Sequence, residues 1–110
     1  MAGWFELGKA SDGQFHFVLK AGNAETILTS QLYTAKASAE SGIASVRANC
    51  QADDQYERMT ASNGKPYFNL KAANSQVIGT SQMYASESAR DNGIASVKSN
   101  GVSETVKDNS

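Results

Sequence analysis

Apolar and polar residues alternate along two stretches near the start of the chain, residues 4–10 and 15–21, and both stretches carry aromatic side chains. Alternation with a period of two is typical of strands that bury one face. The tripeptide Ser-Asp-Gly at 11–13 has the composition of a tight turn that ends in a left-handed glycine. The pattern therefore predicts a β-hairpin, in the register that pairs Phe5 with Leu19.

A third strand and a helix follow in the pattern. A Gly-Asn turn leads into a short apolar run at 26–30, which predicts the strand. From residue 34 to about residue 49 the chain is rich in alanine, and Ala39, Ile43 and Val46 have the i, i+4, i+7 spacing of one helix face. The pattern predicts an amphipathic helix, with Thr34 as its N-cap.

The same order of elements occurs twice. A shift of 51 positions aligns residues 5–51 with 56–102 without a gap, and about 20 of the 47 pairs are identical. The longest shared block, Gly-Ile-Ala-Ser-Val, lies in both predicted helices. In the second copy Ser86 is a plausible N-cap, and Pro66 lacks an N–H and predicts a strand start or an edge.

Two copies are too few to form a solenoid, and one copy of about 51 residues is close to the size at which a lone chain buries too little surface. We therefore expect a single domain, 1–110, made of repeat 1 (about 3–51) and repeat 2 (about 55–106). The predicted fold is α+β, with two tandem β-β-β-α repeats related by pseudo-two-fold symmetry. One antiparallel sheet carries two helices on one face, and weak alternation over 102–106 predicts an extra C-terminal strand before a frayed end.

Composition excludes several classes of protein. A net charge of -1 creates no global field that would attract nucleic acid or an anionic membrane. No apolar run approaches the roughly 18 residues of a membrane span, and the first residues do not resemble a signal peptide, so we expect a cytoplasmic protein without membrane contact. Because the two repeats of one chain complete one core together, we also expect a monomer. One cysteine, Cys50, and one histidine, His16, supply neither a disulfide framework nor a structural zinc set.

The residues do not compose a catalytic, cofactor or metal site. His16 is replaced by a tyrosine in the other copy, and a serine nucleophile needs a positioned base. The glycines at 13 and 64 precede strands, so they do not form a phosphate-binding loop. The carboxylates at 53, 54 and 57 indicate a solvated connector between the repeats rather than a metal site. We predict no catalytic residues, no cofactor and no bound metal.

Other repeated residues are best explained by packing. Gly42 and Gly93 lie inside the helices, where glycine costs up to about 1 kcal/mol relative to alanine, so we expect a close approach of each helix backbone to the sheet or to the other helix. Tyr33 and Tyr84 are expected to be half-buried just before the helices. Cys50 matches a glycine in the second copy and is predicted to be a half-buried structural thiol.

One surface remains as a candidate site. If the helices cover the Phe17/Leu19 face, the opposite face of the sheet is open, and it carries Trp4, His16, Val18, Lys20, Met59, Tyr67 and Lys71. Aromatic and basic side chains occur together on sheets that bind single-stranded nucleic acid, but an exposed face of a two-layer protein is ordinarily mixed as well. A protein partner on this face, single-stranded nucleic acid and an enzyme acting on an unknown small molecule stay as alternatives, with nucleic acid weakly supported.

The chain resembles the YegP-like family of small bacterial domains of unknown function. The resemblance rests on the Trp-Phe-Glu start, the Ser-Asp-Gly turn, Leu-Lys-Ala with a following Asn, the two tyrosines and the Gly-Ile-Ala-Ser-Val blocks, and it covers residues 3 to about 106. It implies one antiparallel sheet under helices, with terminal strands that cross to the other unit, and it supplies no activity or catalytic residues. Ala35 departs from the family's capping serine. The predicted function is a non-enzymatic binding or interaction module without an assignable activity.

Overall fold

One sheet of seven strands runs through both repeats in the computed structural model, which describes residues 3–110. The strands are β1 (Trp4–Lys9), β2 (Phe15–Lys20), β3 (Thr26–Ser30), β4 (Tyr56–Thr60), β5 (Pro66–Lys71), β6 (Val77–Thr80) and β7 (Val106–Asp108). Their order across the sheet is β4-β5-β6-β3-β2-β1-β7. The first six are antiparallel to their neighbours as predicted, whereas β7 runs parallel to β1, so the sheet is mixed.

Two helices pack on one face of the sheet, α1 (Lys36–Asn49) and α2 (Glu87–Asn100). The Ser86 hydroxyl caps α2 by accepting the N–H of Ala89 at 3.1 Å. The N-cap of α1 is Ala35, which forms no side-chain hydrogen bond, so the prediction of Thr34 as that cap is wrong by one residue. Within residues 3–110 neither helix has the length and apolar composition that crossing a membrane requires.

The hairpins have the predicted register. Phe5 pairs with Leu19, and the N–H of Ala10 donates to the carbonyl of Gln14 at 2.7 Å around a three-residue loop. Gly13 closes that loop with a φ of 87°, a conformation that costs a residue with a Cβ. The second repeat forms the same loop, and Pro66 is the first residue of β5, where its missing N–H interrupts no ladder.

Alternate strand residues and one stripe of each helix form a single core. Ile43 and Ile94 occupy equivalent positions under the two helices and are both 2% exposed, as the helical spacing predicts. Aromatic side chains fill the outer parts of this core, where Phe5 meets Phe17 edge to face and Tyr56 meets Phe68 in the same way. Both repeats therefore pack their apolar faces into one continuous cluster.

The C-terminal strand lies later than the alternation suggested. It covers Val106–Asp108 rather than 102–106, and the residues expected to fray belong partly to it. The later start of β7 has a physical cause. The Arg47 side chain donates a hydrogen bond to the carbonyl of Ser103 at 2.7 Å and holds it away from β1. Pairing with β1 therefore begins where the N–H of Phe5 donates to the carbonyl of Thr105. At the far end Lys36 pairs with Asp108 and lowers the pKa of that carboxyl to about 2. The strand thus crosses to the first repeat.

The pseudo-two-fold axis passes between β3 and β6. Thr29 pairs with Thr80, its own counterpart in the other repeat. Beside this pair the counterparts Leu28 and Gly79 meet, and a Cβ on Gly79 would lie 2.8 Å from Cγ of Leu28. At the helix ends Cys50 meets its counterpart Gly101, where a Cβ would lie 2.8 Å from the sulfur. At the last two of these contacts, one repeat supplies a side chain and the other supplies glycine.

Truncation of the isoleucines tests the shared core. Ile43→Ala and Ile94→Ala are each expected to lower the free energy of unfolding by about 2–5 kcal/mol, because each leaves a cavity between helix and sheet. Urea denaturation followed by circular dichroism measures this loss, with the exposed Ser99→Ala as a control. A loss below about 0.5 kcal/mol at both isoleucines would contradict the assigned helix faces.

The contact between Cys50 and Gly101 predicts strong coupling. Gly101→Ala is expected to cost about 1–3 kcal/mol in the wild type, because the added methyl overlaps the Cys50 side chain as well as the Val97 carbonyl oxygen. In a Cys50→Gly background the same change is expected to cost at least about 1 kcal/mol less. A double-mutant cycle by urea denaturation measures the difference, and additive costs would show that the two positions do not compete for one space.

Candidate functional site

Two clefts open on the helix side of the sheet, and the repeat symmetry relates them. The first cleft, about 510 Å³, lies between α1 and the turn that joins β5 to β6. The second cleft, about 340 Å³, lies between α2 and the turn that joins β2 to β3. Each cleft is therefore formed by the helix of one repeat and the turn of the other.

Polar and apolar residues together line the first cleft. Ser38, Ser41 and Ser45 line it from α1, where their spacing places the three hydroxyls along one side of the helix. Asn74 and Gln76 face them from the second repeat. Apolar residues of both repeats also line it, among them the buried Ile78 and the exposed Leu32.

The second cleft has the same plan with different side chains at three positions. Ala89 and Asn92 stand where the first cleft has Ser38 and Ser41, and Ser96 is the counterpart of Ser45. On the turn, Asn23 matches Asn74, and Glu25 takes the place of Gln76. Glu25 is the one charged residue among those that line the clefts within residues 3–110.

A tyrosine lies against the helix in each cleft. Tyr33 stacks on Phe17 with ring centroids 6.3 Å apart, and Tyr84 stacks on Phe68 at the same distance. A Cβ on Gly42 would lie 2.6 Å from the Tyr33 hydroxyl, and a Cβ on Gly93 would lie 2.6 Å from Cζ of Tyr84. The predicted close approach of both helices is thus confirmed, and the glycines make room for the tyrosines.

The hydroxyls of these tyrosines stay protonated. Burial raises the pKa of Tyr33 and of Tyr84 above the usual range for a phenol. The Tyr84 oxygen is buried and has no hydrogen-bond partner among the residues that the structure describes. The tyrosines consequently contribute neutral aromatic walls to the clefts and no phenolate base near neutral pH.

The repeated asparagines shape the turns that face the helices. The side-chain oxygen of Asn23 accepts the N–H of Glu25, and that of Asn74 accepts the N–H of Gln76, both at 3.1 Å. These bonds fix the backbone two residues further on, and they leave the side chains of Glu25 and Gln76 exposed at the cleft. Sequence reasoning missed the clefts because no local pattern shows which turn faces which helix.

The seven residues predicted for the open face do lie on the face away from the helices, and all are half-buried: Trp4, His16, Val18, Lys20, Met59, Tyr67 and Lys71. They form two groups rather than one surface. Trp4 is on β1 and Met59 is on β4, five strands apart in the sheet, which corresponds to about 24 Å. Thr29 and Thr80 occupy the middle of the face between them.

Two polar clusters on the open face engage Lys71 and Trp4, whereas Lys20 belongs to no ion pair within residues 3–110. The Lys71 ammonium lies 2.9 Å from Glu57, and it lowers the pKa of that carboxyl. The Trp4 indole N–H donates to Glu6 at 2.8 Å, while the Lys107 ammonium lies 4.3 Å from the centre of the indole ring. A nucleic-acid base would have to displace Lys107 to stack on Trp4, so this geometry does not favour the nucleic-acid alternative.

The remaining chemical candidates lie away from the clefts. His16 pairs with Gly8 on the open face, and its Nδ1 is buried without a hydrogen-bond partner among residues 3–110. Cys50 is fully buried rather than half-buried, and burial raises the pKa of its thiol. Asp53 of the connector pairs with Lys98 at 2.9 Å. In the described part of the chain, no three potential metal ligands lie together.

Comparison with known proteins places the chain among uncharacterised relatives. A family model described as "Domain of unknown function (DUF1508)" matches residues 10–57 and again 61–108. The UPF0339 protein YegP of Escherichia coli is 72% identical over 109 residues, which cover 99% of each chain. A UPF0339 protein of Acinetobacter baylyi is 68% identical and covers 98% of this chain and 97% of its own.

Two solved structures have the same fold. The solution NMR structure of YegP from Escherichia coli has a TM-score of 0.94 at 72% identity and covers 99% of this chain and 94% of its own. The solution NMR structure of a UPF0339 protein from Shewanella oneidensis has a TM-score of 0.93 at 61% identity, with 98% and 92% covered. The first of these structures is described as a protein of unknown function, so neither supplies an activity.

The tyrosine walls of the clefts predict that alanine is worse than glycine in the helices. Gly42→Ala and Gly93→Ala are each expected to cost about 1–3 kcal/mol, because the overlap with tyrosine exceeds the gain in helix propensity of up to about 1 kcal/mol. Urea denaturation measures the cost. Tyr84→Leu is expected to reduce the cost of Gly93→Ala, and a stabilising effect of either alanine would contradict the assigned contact.

Proposed function

The chain belongs to the YegP-like family, whose model is described as a domain of unknown function, and we propose that it is a non-enzymatic binding module whose two clefts take peptide-like ligands. The observation that carries the proposal is the pair of matched clefts, each formed by one helix and the opposite repeat's turn. Their volumes of about 510 and 340 Å³ fall within the range of roughly 300–1,000 Å³ that is usual for small-molecule sites.

The lining favours amide-containing ligands. Serine hydroxyls and side-chain amides stand on opposite walls of the first cleft, and both donate and accept hydrogen bonds. Apolar residues, among them Val77 and Ile78, line it as well. A peptide offers the same combination of amide donors, amide acceptors and apolar side chains. No charged side chain lines this cleft, so none in its lining would offset the charge of a charged ligand.

The chemistry of the clefts supports binding rather than catalysis. A serine hydroxyl becomes a nucleophile when a base accepts its proton, and the histidine of this chain, His16, lies on the other face of the sheet. The tyrosine hydroxyls have raised pKa values and stay protonated near neutrality. A protein partner on the open face and an enzyme activity stay alternatives, and the monomeric state and the cytoplasmic location stay predictions from the sequence.

Blocking one cleft tests the proposal. The probe is N-acetyl-norleucine-N-methylamide, and binding is followed by ¹H–¹⁵N correlation spectra of the full chain. We expect concentration-dependent shifts at the turn residues 74–76 and along α1 for the first cleft, and at 23–25 and along α2 for the second. Ser41→Trp places an indole over the first cleft and is expected to weaken binding there at least tenfold, while the second cleft is unaffected.

The matched control is Ala44→Trp, because Ala44 is exposed on the same helix and does not line either cleft. This variant is expected to bind like the wild type. The reciprocal pair for the second cleft is Asn92→Trp with Ala95→Trp. The absence of shifts in both clefts at millimolar probe, or equal loss in a blocking variant and its control, would overturn the assignment of the clefts as ligand sites.

A further inference from the structure

The two clefts differ in charge at one position of their rims. Glu25 lies at the second cleft where its counterpart in the repeat, Gln76, lies at the first. The turns that carry them are the same: each has an asparagine that holds the N–H two residues further on at 3.1 Å. The substitution therefore changes the charge of a cleft without changing the backbone that presents it.

Glu25 is free to interact with a ligand. Its side chain is exposed, and none of the ion pairs within residues 3–110 includes it. Some carboxylates of the chain do have cationic partners, as Glu57 has in Lys71 and Asp108 in Lys36, but those two do not line a cleft. An unpaired carboxylate at the rim of a cleft lined otherwise by neutral groups attracts a cation and disfavours an anion.

The helix wall of the second cleft adds a hydrogen-bond acceptor. Asn92 stands where the first cleft has Ser41, and its side-chain carbonyl accepts hydrogen bonds from N–H donors. Both residues are exposed, and neither is required by the packing of the core. The second cleft consequently offers a carboxylate on one wall and an amide oxygen on the other, which matches the three donors of a primary ammonium group.

We propose that the second cleft selects ligands that carry a basic side chain, whereas the first cleft binds their uncharged analogues equally well or better. This inference rests on the proposed function, because it specifies the ligand class of one of the two clefts. Selection arises from Glu25, so a peptide with a lysine side chain enters the second cleft with its ammonium toward that carboxylate. The two clefts then recognise different ligand side chains although they have the same architecture.

Reciprocal substitutions give the test. The probes are N-acetyl-lysine-N-methylamide and N-acetyl-norleucine-N-methylamide, which differ by the ammonium group, and the dissociation constant in each cleft is measured from ¹H–¹⁵N shifts of the full chain. In the wild type at low salt we expect the second cleft to prefer the lysine probe about two- to fivefold, as is typical of an exposed ion pair. Glu25→Gln is expected to remove this preference, and Gln76→Glu is expected to create it in the first cleft.

The outcomes separate this inference from the proposed function. Binding of the norleucine probe in both clefts, with no lysine preference or with one that survives Glu25→Gln, would overturn the charge selection and leave the clefts as ligand sites. No binding of either probe to any variant would overturn both. Loss of the preference in 0.5 M NaCl is expected, because salt screens exposed charges, and a preference unchanged by salt would contradict an origin in Glu25.

Discussion

The antiparallel pairing of β3 with β6 is the contact on which the rest of the structure depends. It joins two three-stranded units into one sheet, and because Thr29 faces its own counterpart Thr80, it sets the pseudo-two-fold axis. Once the axis is fixed, residues near it must pack against their own counterparts. Two identical bulky side chains cannot share that space, and the chain resolves the conflict by placing Leu28 against Gly79 and Cys50 against Gly101. A single chain with two unequal repeats permits this solution.

The same axis creates the clefts. The strands at the centre of the sheet end in turns that reach the far repeat, and each turn therefore lies under the helix of the other copy. Gly42 and Gly93 allow the helices to approach the tyrosines that precede them, which fixes the height of the helix above the sheet. The clefts are thus a consequence of joining the repeats. A single repeat supplies the helix wall of one cleft and the turn of the other, so it contains no complete cleft.

Much of this fold follows from local sequence patterns. Alternation and turn composition gave the hairpin register, and the spacing of Ile43 and Ile94 identified the buried helix faces. The errors concern features set by distant contacts: the start of β7 depends on Arg47 holding Ser103, and the clefts depend on which turn meets which helix. The residues of the open face were assigned to the right side of the sheet. Their separation into two groups depends on strand order, which alternation does not reveal.

The differences between the repeats fall into two kinds, and the distinction indicates where function lies. Those at the axis have a packing reason, as do those at the sheet edges: Leu7 is buried beside β7, whereas its counterpart Arg58, on an edge strand, is exposed and pairs with Asp91. An inward-facing charge at an edge also discourages pairing with another chain. The replacements of Gln76 by Glu25 and of Ser41 by Asn92 have no such reason, because all four side chains are exposed and lie outside the core. The packing of the core does not constrain these four positions, and all four line the clefts. Their side chains are therefore available to bind a ligand.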